Sequence, residues 1–391
     1  MKKLGALLAL LVALLAAACN APVSREVLPD PQPGYDPPEE SLEGGLWMRM
    51  EQYEEDVKTA GLRLRQPDLN DYVRDLVCRI AGPRCGDIRV YVLRIPAFNA
   101  SMTPNGMLQI WSGLLLRAEN EAQLTYVLAH EIAHYLRRHS LQLWHEQQSK
   151  TAFMAYLHLL GAITGVPAYG LDLTKLAAVG SLLQFSREAE READELGFQL
   201  STGAGYDPRE AVTLWQALLA EREAADDPTP WLFFSTHPPT EERMATLAEL
   251  AEGWVAKHGP GKLETERFLA TLGPWRGEWL RDELRQRRYA ATEVLLLRLL
   301  QQGYRSAELR YFQGELYRLR AEEGDAVRAE AAYAQALAGS DAPVSAYRGL
   351  ALVQLKSGSP ELALLNFRRY LEHAPDAEDR QIIRAHIQAL E

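Results

Sequence analysis

Cysteine is scarce: 391 residues contain three. One, Cys19, closes an apolar N-terminal run, and the remaining pair, Cys78 and Cys85, has no further thiol partners, which excludes a zinc fold built on cysteines. The pair flanks Gly82-Pro83, a turn that can bring the two together, so a disulfide is expected in an oxidising compartment. Closing so short a loop stabilises the fold by roughly 2–3 kcal/mol on a chain-entropy estimate. Positive charge is also in short supply. Lys and Arg number 42 against 53 Asp and Glu, a net charge of −11, which argues against nucleic acid or an anionic bilayer surface as the main partner. Long hydrophobic runs are lacking too. Residues 4–18, after Met1-Lys2-Lys3, are too few to span a bilayer, show no helical periodicity and run straight into proline-rich sequence, so residues 1–18 read as an export signal. The apolar stretch 151–183 is broken by His158, Gly161, Gly165, Pro167, Asp172 and Lys175, which predicts two core helices and a loop, or a flap beside an active site, in preference to a membrane span.

What the chain does have is His130-Glu131-Ile132-Ala133-His134. Residues four apart share one helix face, so both imidazoles can reach a single tetrahedral zinc while Glu131 projects beside it to act on water. Asn120 followed by Gln123 predicts a capped start, and Leu124, Val127, Leu128, Ile132 and Tyr135 give an apolar stripe that buries the helix. A third protein ligand is then required. The metzincin continuation needs a glycine three residues after His134 and a histidine three beyond it; the chain has Arg137 and Ser140, so that class is excluded. Downstream, residues 185–194 read FSREAEREAD, a second acidic helix on which Glu190 and Asp194 share a face. One of the two can bind metal while the other accepts the distal N–H of a ligand histidine. Without the first motif, such a charged run would read as a solvated face.

These residues, together with Thr236-His237-Pro238-Pro239, Arg243, Asn99-Ala100 and Pro104-Asn105-Gly106, resemble the peptidase family that includes HtpX, the CAAX prenyl protease and the periplasmic protease BepA. The likeness covers residues from about 45 to 255. It implies that His130, His134 and Glu190 bind one zinc, that Glu131 is the general base, that Asp194 supports a ligand histidine, and that His237 and Arg243 lie near the open coordination site. Either of the last two could stabilise the oxyanion, and likeness to this family also suits His237 to a latch on zinc's fourth position. Ser101-Met102-Thr103 depart from relatives that are often more apolar there, which touches substrate preference and not the ligands.

Ile88, Val90 and Val92 alternate as one strand and residues 107–111, after Asn105-Gly106, as another. The resemblance assigns substrate pairing to the second, so Asn99, Gly106, Met107, Leu108, Gln109 and Ile110 are expected to line an edge that holds an extended peptide. Residues 20–45 contain Pro22, Pro29, Pro31, Pro33, Pro37 and Pro38 among acidic residues and read as a tether. Ala16-Ala17-Ala18-Cys19 resembles a bacterial lipobox with its leucine one place early, so acylation of Cys19 is expected, with ordinary signal cleavage as the alternative.

Beyond about residue 265 the chain changes to paired helices. Tyr347, Leu350, Ala351, Ala363, Phe367 and Pro375 fall at the offsets of a tetratricopeptide unit, with Gln354 and Tyr370 as departures, and Gly314, Tyr317, Ala329, Tyr333 and Ala336 mark an earlier unit. The expected organisation is a signal peptide (1–18), an anchor cysteine and tether (19–45), a mainly α catalytic domain with a small β-sheet (46–260), and an all-α tetratricopeptide-repeat domain (265–391). The expected function is exported zinc endopeptidase. The resemblance implies periplasmic location, contact with the membrane through a lipid anchor only, and protein substrates among misfolded outer-membrane proteins or their assembly machinery. The rival is a repeat-based assembly scaffold with a latent zinc site.

Overall fold

A serine starts the first helix. Ser41 Oγ accepts the Gly44 N–H at 2.9 Å, a side-chain cap for α1 (Leu42–Thr59). The structure is a computed structural model and describes residues 29–145, 184–225 and 231–391. The export segment, Cys19 and the 151–183 stretch lie outside the described residues. Among the described residues no helix is long and apolar enough to cross a membrane.

α1 is followed by α2 (Pro67–Ala81), with proline at its first turn where no N–H is needed, and by a tight 3-10 turn, Gly82–Asp87. Cys78 and Cys85 are disulfide-bonded, fastening the last turn of α2 to that 3-10 turn. Three strands come next: β1 (Arg89–Leu93), β2 (Ala100–Met102) and β3 (Met107–Trp111). Their order is β1-β3-β2, with β1 parallel and β2 antiparallel to β3. This corrects the expected substrate edge. β3, with Met107, Leu108, Gln109 and Ile110, is central, because β2 folds back and takes its second side; the edge is β2. Thr103 N–H donates to Met107 O and Trp111 N–H to Asn99 O. By the alternation of an antiparallel ladder, Ser101 also faces β3, and the backbone groups of Ala100 and Met102 face outward.

The proline-rich tether needs a second correction. From Pro31 onward it is folded against the domain: Pro31 and Pro37 are buried, Arg84 donates to Pro31 O, and Gly34 N–H donates to the Asp87 carboxylate at 3.0 Å. Tyr35 donates to Glu43, which pairs with Arg138. Proline removes backbone donors but leaves carbonyls and ring surfaces, and these suffice to pack a segment that has no core of its own.

The helical layer consists of α3 (Ser112–Arg117), α4 (Glu121–Leu136), α5 (His139–His145), α6 (Arg187–Gly203), α7 (Arg209–Ala224), α8 (Leu232–Thr236) and α9 (Glu241–His258). Seven more helices follow: α10 (Thr265–Arg285), α11 (Tyr289–Gln301), α12 (Ser306–Arg320), α13 (Asp325–Leu337), α14 (Ser345–Lys356), α15 (Pro360–His373) and α16 (Arg380–Leu390). From α10 to α15 they form successive hairpins. Tyr333 is wedged between Gly314 and Gly349, where any Cβ would collide with its ring, so helices of neighbouring hairpins pack closely. Gln354 and Tyr370, the departures from the repeat pattern, are buried with partners: Asn366 donates to Gln354, and the Tyr370 hydroxyl donates to Asp379.

One hydrophobic core runs from Leu64 through α4, α7, α10 and α12 to Val353, within a single unit spanning Pro31–Glu391. A buried ion network crosses the same junction. Arg117 pairs with Glu221 at 2.7 Å and Glu283 at 2.8 Å, and Arg298 also reaches Glu221.

Candidate metal centre

Asn120 Oδ1 accepts the Gln123 N–H at 2.9 Å, so α4 starts where the sequence expects. The reciprocal bond of a capping box is displaced by one residue, because Gln123 Oε1 takes the N–H of Glu119. Every residue of α4 is buried. Ser186 caps α6 through the Ala189 N–H, and Gly197 lets α6 approach closely: a Cβ there would lie 3.0 Å from the His130 backbone nitrogen.

At that crossing four side chains converge. His130 Nε2 is 3.1 Å from His134 Nε2 and 3.4 Å from His237 Nδ1. Glu190 Oε1 lies 2.9 Å from His237 Nδ1 and 3.5 Å from His134 Nε2, and Glu190 Oε2 lies 3.6 Å from His130 Nε2. One donor atom from each of the four lies within 4.8 Å of the others, and all four residues are buried. Zinc bonds of about 2.0–2.1 Å place tetrahedral donors about 3.3–3.4 Å apart, so this spacing and this nitrogen-and-carboxylate set fit zinc.

The surroundings hold these donors in metal-binding form. Burial keeps the His134 imidazole well below its ordinary pKa, hence neutral. Burial opposes ionisation of Glu190, but His237, His134 and Arg243 outweigh it and hold the carboxyl well below the usual range. Asp194 is held at about 2, against burial, by Arg243 and His130. Its Oδ1 lies 3.1 Å from His130 Nδ1 and accepts from Tyr126, while Arg243 donates to both of its oxygens. Arg243 also reaches Glu190 at 2.6 Å and the Pro238 carbonyl. Its guanidinium is therefore committed behind the carboxylates and is not presented to the cavity, a placement that supports ligands and leaves an oxyanion role without geometry.

Glu131 lies in front, its carboxylate 3.5 Å from His237 Nε2 and hydrogen-bonded to the Met102 backbone. Burial raises its pKa, and His237 and His130 pull it part of the way back. The cavity beside it, about 80 Å³, is lined by Asn99, Ala100, Met102, Glu131, His134 and His237. Asn99 Nδ2 is buried there without a hydrogen-bond partner among the described residues. Gly106, at φ 84°, serves the turn into β3 and is packed against the Asp87 carbonyl, away from the cavity.

Residues 63–251 match the model of Peptidase family M48. That segment belongs to peptidase family M48. The mitochondrial metalloendopeptidase OMA1 of Schizosaccharomyces pombe is 33% identical over 165 residues, 41% of this chain and 45% of its own length. The beta-barrel assembly-enhancing protease of Escherichia coli is 27% identical over 215 residues, 52% of this chain and 44% of its own. OMA1 of Arabidopsis thaliana is 33% identical over 162 residues, 41% of this chain and 31% of its own. The chain thus spans less than half the length of each of these relatives.

The M48 motif alone does not reveal two residues of the centre. His139, five places after His134 and buried, lies with Nδ1 2.8 Å from His134 Nδ1 and Nε2 3.2 Å from Glu192. Phe185 stacks on the His134 ring with centroids 4.2 Å apart. Neither carried a signal in the sequence: five residues from His134 is about 140° round a helix, and it is the break at Arg138, φ 56°, between α4 and α5 that brings His139 back to the centre.

Proposed function

We propose that the protein is an exported zinc endopeptidase whose ligands are His130, His134 and Glu190. The observation that carries this reading is the convergence of two imidazoles and a carboxylate at tetrahedral spacing beside a buried glutamate. Bound zinc supplies Lewis acidity that polarises a scissile carbonyl and makes water acidic enough to yield a nucleophile near neutral pH. Glu131, with its raised pKa, takes the proton of the attacking water and returns it to the leaving amine. Asp194 fixes the ring of His130, and Arg243 fixes Asp194 and Glu190. The backbone groups of Ala100 and the C=O of Met102 face outward to an extended substrate, while the Met102 N–H is held by Glu131, so the edge binds backbone without reading side chains. Asn99 Nδ2, an unused buried donor in the same cavity, suits a substrate carbonyl or the oxyanion. Metal analysis of the purified protein and cleavage of an unfolded protein test the reading: one zinc per chain and hydrolysis abolished by Glu131→Gln support it, and full hydrolysis without zinc overturns it.

A second observation favours a gate. His237 Nδ1 lies among the other donors, 3.4 Å from His130 Nε2 and 2.9 Å from Glu190 Oε1. A neutral imidazole there would fill zinc's fourth position. At equal zinc occupancy, His237→Ala then raises basal proteolysis; a fall of about 100-fold would instead make His237 an oxyanion donor. The gate also keeps the scaffold reading in play, and retention of the cellular role by Glu131→Gln would favour that reading.

The basic and apolar N-terminal segment supports export, and the AAAC sequence at residues 16–19 supports acylation at Cys19 as the membrane tie. Labelling with a fatty acid, lost in Cys19→Ala, tests it. The name of the Escherichia coli relative suggests substrates in β-barrel assembly in the bacterial envelope, and the hairpin helices beyond residue 265, read as tetratricopeptide units, suit recruitment of protein segments.

A further inference from the structure

A second concave site lies on the helical half, and none of its residues belongs to the metal centre. α10, α12 and α14 are the first helices of successive hairpins, and together with the turn after α10 they line a groove of about 650 Å³. Leu284, Tyr311, Phe312 and Leu319 supply an apolar and aromatic wall. Around them stand Arg281, Arg285, Arg287, Arg320 and Arg348, with Glu315 the one carboxylate lining the groove. Five guanidiniums against one carboxylate is the reverse of a chain whose net charge is −11.

The arginines differ in what already holds them. Arg320 is taken up by Asp325 and Glu293, and Arg348 donates to Asp379 at 2.7 Å. Arg285 pairs with Asp282. Glu315 is neutralised by Arg318 at 2.6 Å and accepts the Tyr333 hydroxyl, so it does not cancel the rim. Arg281 and Arg287 are exposed and make no ion pair with any described residue. Two guanidiniums without an ion-pair partner, Arg281 with Glu308 in its field, stand beside an aromatic wall and are suited to bidentate carboxylate binding together with packing of an adjacent side chain. The acidic body of the protein disfavours extended polyanions such as nucleic acid, which would have to lie across it.

We propose that this groove binds an acidic peptide segment of another protein, its carboxylates paired with Arg281 and Arg287 and an apolar or aromatic side chain seated against Tyr311 and Leu319. The site stands independently of the peptidase reading, because it needs neither the metal nor Glu131. The test uses the full chain carrying Glu131→Gln, so that no probe is cleaved, and a rhodamine-labelled peptide of repeated Asp-Glu-Tyr read by fluorescence anisotropy. Binding that weakens with added salt, falls at least about tenfold in Arg281→Glu/Arg287→Glu and stays unchanged in the exposed control Arg384→Glu is the expected result. A free-acid and an amidated version of the peptide should bind alike, because acidic side chains supply the carboxylates; binding that needs the free terminus would overturn that assignment. An Asn-Gln-Tyr peptide that binds as tightly, a double variant that binds as well as the parent, or full displacement by millimolar inorganic phosphate would overturn it. Circular dichroism of the double variant at the same temperature checks that its fold is intact; the same groove is probed without charge reversal by Leu319→Ser, which lowers affinity if the apolar wall takes part.

Discussion

Two of the buried polar clusters among the described residues are built on opposite rules. Around Arg117, positive and negative groups alternate: one guanidinium is held between Glu221 and Glu283, each of which has a second arginine, Arg298 and Arg288. At the crossing of α4 and α6, ring nitrogens of three imidazoles and a carboxylate oxygen converge on one another, and Arg243 stands behind them. The first cluster is electrically complete without a ligand. The second places electron donors face to face, an arrangement that becomes favourable when a cation sits among them. Burial and charge alone therefore do not identify a functional site. The convergence of metal-ligating atoms does.

The sharpest test of this contrast lies in chemistry. Glu131→Gln should leave zinc bound and reduce turnover by about 100-fold to 10,000-fold, since it removes a base and not a ligand. Glu190→Ala should instead lose the metal, as read by zinc content after dialysis; full zinc in that variant would remove Glu190 from the ligand set.

Breaking the other cluster should affect stability and not chemistry. Arg117→Met leaves each of two buried carboxylates with a single arginine partner and should cost up to about 3–5 kcal/mol, measured by denaturant unfolding. Adding Glu221→Gln and Glu283→Gln should recover much of the loss. No recovery would mean that packing, not charge, dominates the junction.

A smaller effect is expected at His139. Its Nδ1 can accept the His134 Nδ1–H while its Nε2–H donates to Glu192, which leaves His134 Nε2 free for metal. His139→Ala should weaken zinc binding by about 10-fold to 100-fold in a chelator competition, with secondary structure unchanged. An unaltered affinity would make it a packing residue.

The smallest effect near neutrality is that of pH. Burial raises the Glu283 pKa, but Arg117 and Arg288 outweigh it and hold the group below its ordinary value. Its contribution to stability is therefore full above the unfolded value of about 4.3 and is lost as pH falls through the lower folded one. Glu283→Gln should flatten acid unfolding over that window and leave it steep elsewhere.

Much of the metal centre was legible because helical spacing maps directly onto a face: four-residue steps put His130 with His134 and Glu190 with Asp194. What needed three dimensions was pairing between distant segments. The resemblance gave the substrate edge to β3, and only the fold-back of Ala100–Met102 makes that strand central. Arg243 was visible beside His237 in the chain, but its orientation depends on where α9 meets α6. The proline-rich stretch misled for a different reason. Its composition excludes a core, yet residues from Pro31 on are held to the domain by hydrogen bonds with Arg84, Asp87 and Arg138.

Gly197 shows that a metal site can be specified by something missing. The residue touches no ligand and carries no functional group, yet a single added methyl would press on the backbone that carries His130, at 3.0 Å from its nitrogen and 3.1 Å from its Cα. Sites of this kind are held to within about 0.5 Å, and the relief such a contact demands is of similar size. Alanine at 197, an exchange that improves most helices, would here trade helix propensity against coordination geometry. What an alanine does at this position is decided not by chemistry at the metal but by whether two helices can give a few tenths of an ångström.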